Sequence, residues 1–161
     1  PPAVGGFTRQ LEEQGVPFTT KVFDAQRTLP PEYVRDRLGL EVDDTVFFIS
    51  RRITVEGSPL AWLHIYLLVP EEFSPTPGEL EEVGSVFRLL EQDPQLSLTQ
   101  GEHSIWAAGA SEEDARLLGV EVNSPVLVME TMMYTREGRL GAFRRVVHRP
   151  EDYKFIFTVN Q

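Results

Sequence analysis

The sequence of 161 residues lacks cysteine, lacks a long apolar run and lacks an excess of positive charge. A membrane-spanning helix needs roughly 20 consecutive apolar residues, and no run in this chain approaches that length. No basic segment followed by an apolar stretch is present, so no secretory signal peptide is visible. A chain without cysteine fits the cytoplasm, although it fits other compartments as well. We therefore expect a cytoplasmic protein with no membrane partner.

The charge balance is acidic, because 25 Asp and Glu face only 15 Lys and Arg, for a formal net charge of −10. Such a chain repels the phosphate backbone of nucleic acids and is not expected to bind DNA by itself. The best local exception is the segment 139–149, which contains four arginines and His148. A chain of 161 residues is large enough to form one domain around one core, and its 41% of hydrophobic residues is ordinary for a globular protein.

One phrase of the sequence occurs twice, as LGLEVDDTVFFI at residues 38–49 and as LGVEVNSPVLVM at residues 118–129. Each copy follows a short helical pattern that stops at the glycine of the phrase. Each copy also precedes two strand patterns joined by a glycine-containing turn, at residues 56–59 and 136–138. The repeat therefore predicts a pseudo-symmetric domain in which two helix-plus-hairpin units share one sheet.

The remaining segments complete an α+β pattern with about six strands in a mainly antiparallel sheet. Further strands are predicted at residues 17–26, 96–108 and 152–160, with 96–108 as one strand or a bent pair. A helix is predicted over residues 79–92 with a possible break at Gly84, and residues 7–15 form a short helix or linker. The two tryptophans, Trp62 and Trp106, are expected in the core.

Arg51 is the most informative residue, because strand alternation places it in a row with Phe47, Ile49, Ile53 and Val55. A guanidinium in an apolar row keeps its charge and needs an anion. Two partners are possible from the sequence. One is an internal carboxylate such as that of Glu130, and the other is the carboxylate or phosphate of a ligand. Arg52 points to the opposite, more polar face and is expected at the surface.

Ser85 is a second candidate for an anion contact, because it restarts a helical pattern after Gly84. A serine in this position offers its hydroxyl and free backbone N–H groups to an anion, but it also serves as a plain N-cap. His148 follows Arg144 on the same strand face, where it lines a pocket or lies at the surface. No histidine has a partner at metal-ligand spacing, and no catalytic motif or cofactor-binding motif is present.

The ordered set of segments resembles the UTRA domain, the effector-sensing half of HutC-type regulators in the GntR family. The resemblance is carried by LGLEVDDTVFFISRRITVEGSPLAW, GSVFRLL, SEEDARLLGVEVNSPVLVMETMMYTREGRLGAF and HRPEDYKFIF. It implies a chorismate-lyase-like fold, with an antiparallel sheet flanked by helices and an effector pocket. It further implies a linker and opening helix over 1–16 and a sensing domain over 17–161. A winged helix-turn-helix absent from this fragment would precede them, and the sensing domain would form a homodimer.

The family pattern implies roles for single positions. Arg51 and Ser85 match residues that meet a ligand phosphate, and Phe87 falls where an aromatic residue is expected. A second arginine of the pattern falls on Ile53, two acids fall on Leu63 and Ala142, and an aromatic hydroxyl falls on His148. The predicted ligand-binding residues are Arg51, Leu63, Ser85, Phe87, Ala142, Arg144 and His148.

These positions imply a small anionic effector, either a phosphorylated sugar or an organic acid, and DNA contact only through the missing domain. No catalytic residue, metal or cofactor is expected. Two alternatives stay open: a chorismate-lyase-like enzyme, and a degenerate UTRA domain that only dimerises.

Overall fold

The computed structural model describes residues 11, 12, 14–150, 154 and 158–161. The strands in this part of the chain are β1 (Thr19–Thr28), β2 (Val46–Val55), β3 (Ser58–Leu67), β4 (Leu98–Gly109), β5 (Pro125–Thr135) and β6 (Leu140–His148). The helices are α1 (Glu32–Leu38), α2 (Pro77–Val83), α3 (Val86–Leu90) and α4 (Glu112–Leu118). None of these helices has the length and apolar character that crossing a membrane requires.

The six strands form one sheet in the order β1-β2-β3-β6-β5-β4, and every neighbouring pair is antiparallel. The order is symmetric about its centre, where β3 pairs with β6. One half contains α1, β2 and β3, and the other contains α4, β5 and β6. The α+β class and the repeated helix-plus-hairpin unit are therefore confirmed.

The two repeated helices end in the same way, which explains the repeated Leu-Gly. Gly39 and Gly119 have φ values of +65° and +66°, and each N–H donates to a carbonyl of the preceding helix. Glycine is favoured at such a left-handed stop because it has no Cβ. The predicted capping box at the start of α4 is present between Ser111 and Asp114.

Three segments differ from the predicted elements or extend beyond the described residues. The break predicted at Gly84 is present, and it divides the helical pattern of residues 79–92 into two short helices, because Gly84 has a φ of +84° and ends α2 before α3 begins. Leu11 and Glu12 are helical, whereas the rest of the predicted opening helix lies mostly outside the described residues. The strand predicted over 152–160 also lies mainly outside them and stays a prediction.

The sheet has two faces, which we call face 1 and face 2. Face 1 carries Phe47, Ile49, Arg51 and Ile53 of β2, and α2 and α3 pack against it through Leu80, Val86 and Leu90. Face 2 is covered by α1, through Val34 and Leu38, and by α4, through Leu118. Strand alternation thus separates the two faces as predicted.

The edge strand β4 is the most exposed part of the sheet. Among the described strands it pairs only with β5, and most of its side chains are exposed. Trp106 is 40% exposed and Ile105 is 39% exposed, whereas Trp62 on the central strand β3 is 5% exposed. The prediction of a core position was therefore correct for Trp62 and wrong for Trp106, because an edge strand has a neighbour on only one side.

Candidate functional site

Face 1 contains two apolar clusters with polar side chains between them. One cluster includes Ile49, Ile65, Met133 and Ala142. The other includes Ile53, Leu63, Met129 and Val146. Four polar residues occupy the boundary, and we call them the polar row: Arg51, Arg144, Thr131 and His103.

The strand register explains why these four residues meet. Arg144 lies opposite Thr131 on β5, and Thr131 lies opposite His103 on β4. Arg51 pairs with Leu63, and Arg144 pairs with Ile65, so on β3 their positions are one same-face step apart. On β4, β5 and β6 the register therefore aligns His103, Thr131 and Arg144 between apolar neighbours, and Arg51 on β2 lies one step away across the apolar β3.

Arg51 is 7% exposed, and its Nη2 donates a hydrogen bond to the carbonyl oxygen of Gly84 at 2.7 Å. Its Nε is buried and has no hydrogen-bond acceptor among the described residues. Burial lowers the pKa of Arg51, and the charge of Glu81 partly opposes that shift. Glu130 is not its partner, because Glu130 lies on face 2. The pairing of Arg51 with Glu130, given as the example of an internal carboxylate, was therefore wrong.

Arg144 is the most buried cation of face 1, with 2% exposure. Its Nε and Nη2 are buried and have no hydrogen-bond acceptor within the part of the chain that is described. Its Cζ lies 6.0 Å from the centroid of the Phe87 ring. Burial, and secondarily the positive charge of Arg51, lowers the pKa of Arg144 to about 10. The two guanidinium groups are therefore close enough to repel each other.

Thr131 and His103 extend the polar row toward the sheet edge. The Oγ1 of Thr131, a fully buried residue, lies 2.8 Å from Nδ1 of His103. Burial and the charge of Arg144 both lower the pKa of His103, so its ring is neutral at pH 7. Sequence reasoning missed both residues. The available signal was Thr131 between Met129 and Met133, which is the same pattern that singled out Arg51.

The start of α3 lies over the two arginines. Ser85 has extended backbone, and its Oγ accepts a hydrogen bond from the backbone N–H of Phe87 at 3.3 Å. Ser85 is therefore an N-cap, as one interpretation of the sequence held, and its contact with an anion stays a prediction. The capped turn brings the Gly84 carbonyl to Arg51 and the Phe87 ring to Arg144.

The other predicted site residues also lie on face 1. Leu63 is 6% exposed and lies directly opposite Arg51. Ala142 and His148 are fully buried on β6, one same-face step and two same-face steps from Arg144. The Nδ1 of His148 lies 3.2 Å from the carbonyl oxygen of Arg149, and burial lowers the pKa of His148. All seven predicted residues thus lie on face 1 or at the start of the helix above it.

Face 2 contains a separate cleft of about 680 Å³ between α1 and α4, lined by both aromatic and charged side chains. At its base, the carboxylate of Glu130 binds Arg37 at 3.0 Å and Arg145 at 2.7 Å. Glu130 is 5% exposed, and each of its oxygens has a cationic partner. The charges at the base of this cleft are therefore satisfied by the chain itself, unlike those of the polar row.

Within the described residues, no cluster of three or more histidine, aspartate or glutamate side chains could hold a metal ion. The chemistry that the polar row offers is hydrogen bonding from two guanidinium groups, next to a threonine hydroxyl that is paired with a neutral imidazole. This combination suits the recognition of an oxyanion.

The model of the UTRA domain family matches residues 13–154 of this chain. The HTH-type transcriptional regulator Rv0792c of Mycobacterium tuberculosis is 32% identical over 154 residues, which are 94% of this chain and 56% of that protein. The HTH-type transcriptional repressor NagR of Bacillus subtilis is 21% identical, over 96% of this chain and 63% of that protein. The chain thus spans less than two thirds of the length of these relatives.

Solved structures have the same fold. The effector domain of PhnF from Mycobacterium smegmatis superposes with a TM-score of 0.82 at 18% identity, covering 99% of this chain and 98% of that one. A putative transcriptional regulator from Streptomyces coelicolor superposes with a TM-score of 0.77 at 29% identity, covering 87% of this chain and 91% of that one. The fold that the sequence resemblance implied is therefore confirmed.

Proposed function

Because residues 13–154 match its family model, this chain belongs to the UTRA domain family, and we propose that it is the effector-binding and dimerisation domain of a bacterial GntR-family transcriptional regulator of the HutC subfamily. The curated relatives are transcriptional regulators. One structural neighbour is the ligand-binding domain of a putative GntR-family regulator from Bordetella bronchiseptica. In this proposal, a small anionic effector binds on face 1 in the cytoplasm and changes DNA binding by an N-terminal winged helix-turn-helix outside this sequence.

The observation that supports an anionic effector is the pair of buried guanidinium groups at Arg51 and Arg144. Neither is paired with a carboxylate through any hydrogen bond or ion pair of the described residues. A buried charge without a partner is costly, so a site that keeps two such groups is suited to an anion from outside. A hydrogen bond to a charged group contributes about 1.5–3 kcal/mol, which is enough to select anions over neutral analogues.

The position of the site also suggests how binding would be transmitted. The Gly84 carbonyl that accepts from Arg51 belongs to the turn between α2 and α3. These helices have seven and five residues, and helices this short depend on packing for their stability. An anion that competes for the donors of Arg51 would therefore shift α2 and α3 relative to the sheet.

We propose that the domain does not transform its ligand. The contact between His103 and Thr131 combines a possible base with a possible nucleophile. Thr131 is fully buried, however, and no third described side chain is hydrogen-bonded to the other nitrogen of His103. These features favour a binding role over the chorismate-lyase-like alternative.

The dimer contact is proposed at the free edge of β4. This strand is 12 residues long and leaves one row of backbone N–H and C=O groups without a neighbouring strand in the described sheet. Long edge strands with exposed apolar side chains pair readily with another chain, and a second copy offers an identical antiparallel partner. Ile105 and Trp106 supply the exposed apolar surface.

A thermal-shift panel of phosphorylated sugars, amino acids and small organic acids tests the proposed function. A ligand present at a hundred times its dissociation constant should add about 2.7 kcal/mol of stability. Binding of an anion without formation of product supports effector sensing. Product from a bound compound would identify an enzyme. Failure of every anion to bind would favour the degenerate, dimer-only alternative.

A further inference from the structure

The guanidinium of Arg144 presents a two-donor edge on face 1. Nε and Nη2 lie on the same edge of an arginine side chain, and together they form the fork that binds both oxygens of one oxyanion. In Arg144 both of these atoms are buried and lack an acceptor among the described residues. In Arg51 the corresponding edge is half used, because Nη2 already donates to the carbonyl oxygen of Gly84 at 2.7 Å.

The charges near the two arginines also leave Arg144 with less compensation than Arg51. Glu81 is the acid whose charge acts on Arg51. No carboxylate of the described chain contributes appreciably to the electrostatics of Arg144, and its charged neighbour is Arg51, another cation. Arginine keeps its charge at physiological pH, so this guanidinium is both desolvated and repelled. Of the two, Arg144 therefore has the greater need of an anion.

The residues around the fork indicate which oxyanion it takes. The Thr131 hydroxyl is engaged with His103, and Ser85 caps α3. The terminal oxygens of a phosphate group need several more donors than one fork supplies, whereas the two oxygens of a carboxylate need only the fork. Leu63 and Ala142 stand where the family pattern has acids, and both are apolar and buried. A ligand that has an apolar group beside its planar carboxylate fits these apolar neighbours.

Resting on the function proposed above, we propose that Arg144, rather than Arg51, is the principal anion-binding residue of this domain, and that it binds the carboxylate of a small organic acid through Nε and Nη2. Thr131 lies opposite this arginine on β5, and the Phe87 ring lies near its guanidinium. Arg51 contributes its charge and its remaining Nε–H. The sugar-phosphate pattern of the family is thus replaced here by a carboxylate site centred on β6.

Isothermal titration with propionate, butyrate, succinate and benzoate, each beside its uncharged amide and beside inorganic phosphate, tests the proposal at constant ionic strength. We expect a carboxylate to bind more tightly than its amide and than phosphate. Arg144→Met should weaken binding of that carboxylate by about tenfold to a hundredfold. Arg144→Lys keeps the charge but loses the fork, and should also weaken it by about tenfold.

Arg145→Met is the matched control, because Arg145 is the next residue on β6 and points to face 2. The Arg145→Met variant should bind the carboxylate with the same affinity as the unmodified chain. If Arg144→Met binds the carboxylate normally while Arg51→Met does not, the assignment to Arg144 is overturned and the proposed function stands. If phosphate binds and the carboxylates do not, the ligand class is overturned. If no anion binds, the proposed function itself fails.

A measurement without ligand distinguishes a binding role from a structural one. A buried guanidinium that no acid of the chain neutralises should cost stability, so Arg144→Met should raise the melting temperature of the ligand-free protein. A fall in the melting temperature would mean that an acid outside the described residues pairs with Arg144. That result would overturn the proposal.

Discussion

Arg144 and Arg145 are neighbours on one strand, yet they lie in opposite electrostatic environments. On face 2, Arg145 donates to the buried carboxylate of Glu130 at 2.7 Å, and Arg37 binds the other oxygen of that carboxylate. On face 1, Arg144 has two buried donors without an acceptor in the described chain, and its charged neighbour is Arg51. The difference teaches that an arginine beneath the surface of the sheet indicates a ligand site only when no acid of the chain pairs with it.

Two neighbouring arginines of β2, Arg51 and Arg52, also point to opposite faces of the sheet. Arg51 is buried on face 1, whereas Arg52 is half-buried on face 2 and its Cζ lies 5.3 Å from the centroid of the Phe23 ring. Phe23 is 46% exposed, so this contact lies near the surface. Adjacent arginines on two strands thus provide two internal controls for any experiment on face 1.

The largest effect on stability is expected from Glu130→Gln. The substitution leaves Arg37 and Arg145 facing a neutral amide at the base of the cleft on face 2. Removing one member of a buried ion pair costs about 3–5 kcal/mol, and we expect about 2–3 kcal/mol here because both arginines reach solvent. Chemical denaturation measures the loss. A ligand-free Arg144→Met chain should show no such loss, and equal losses in both variants would remove the contrast between the two faces.

His64 on face 2 should make stability depend on pH. Burial, and secondarily the charge of Arg145, lowers its pKa to about 4, while Asp24 acts in the opposite direction. The unfolded chain therefore binds a proton near pH 6.5 that the folded chain does not bind until about pH 4. The stabilisation is fully present above pH 6.5 and is lost as the pH falls toward 4, on the order of 2 kcal/mol.

Denaturation curves at several pH values test this linkage, with His64→Gln as the comparison. The variant should lose less stability than the unmodified chain between pH 6.5 and pH 4. Because His103 and His148 also have a lowered pKa through burial, part of the slope should remain in the variant. A slope identical in both proteins would show that His64 is not neutral in the folded state.

Arg51→Met and Arg52→Met compare the two faces through ligand affinity. Arg51 has one buried donor that is still without an acceptor, and it adds a positive charge to face 1. Arg51→Met should therefore weaken anion binding by about tenfold. Arg52→Met should change affinity little, because Arg52 points to face 2. Titration of the best carboxylate against both variants gives the answer. If Arg52→Met weakened binding and Arg51→Met did not, the register of β2 would have to be shifted by one residue. Such a shift would move every side chain of β2 to the other face.

The fold was predictable because its determinants are local. Alternation within residues 46–55 placed Arg51 and Arg52 on opposite faces, and the glycines after the repeated helices fixed where those helices end. The repeated phrase then indicated two hairpins in one sheet, which is the symmetric strand order found here.

The polar row was less predictable because it depends on pairing between strands. Alternation within β5 points Thr131 to one face, but only the register shows that it lies opposite Arg144 and His103. The partners of Glu130 were hidden for the same reason, since Arg37 is 93 positions away. No pattern along the chain indicated that the Gly84 carbonyl would meet Arg51, because that contact follows from how α2 and α3 pack on the sheet.

The smallest expected effect separates the structural role of Ser85 from its possible contact with the ligand. Ser85 caps α3 through the N–H of Phe87, and replacing an N-cap serine with alanine typically costs about 1 kcal/mol. Ser85→Ala should therefore lower the free energy of unfolding by about that amount, while Ser111→Ala at the start of α4 on face 2 provides a matched capping control. If Ser85 only caps, both variants should keep the affinity for the carboxylate once the measurement is made well below their melting temperatures. A tenfold loss of affinity confined to Ser85→Ala would instead mean that the ligand reaches the start of α3, as the family pattern implies, and that the fork of Arg144 shares the anion with it.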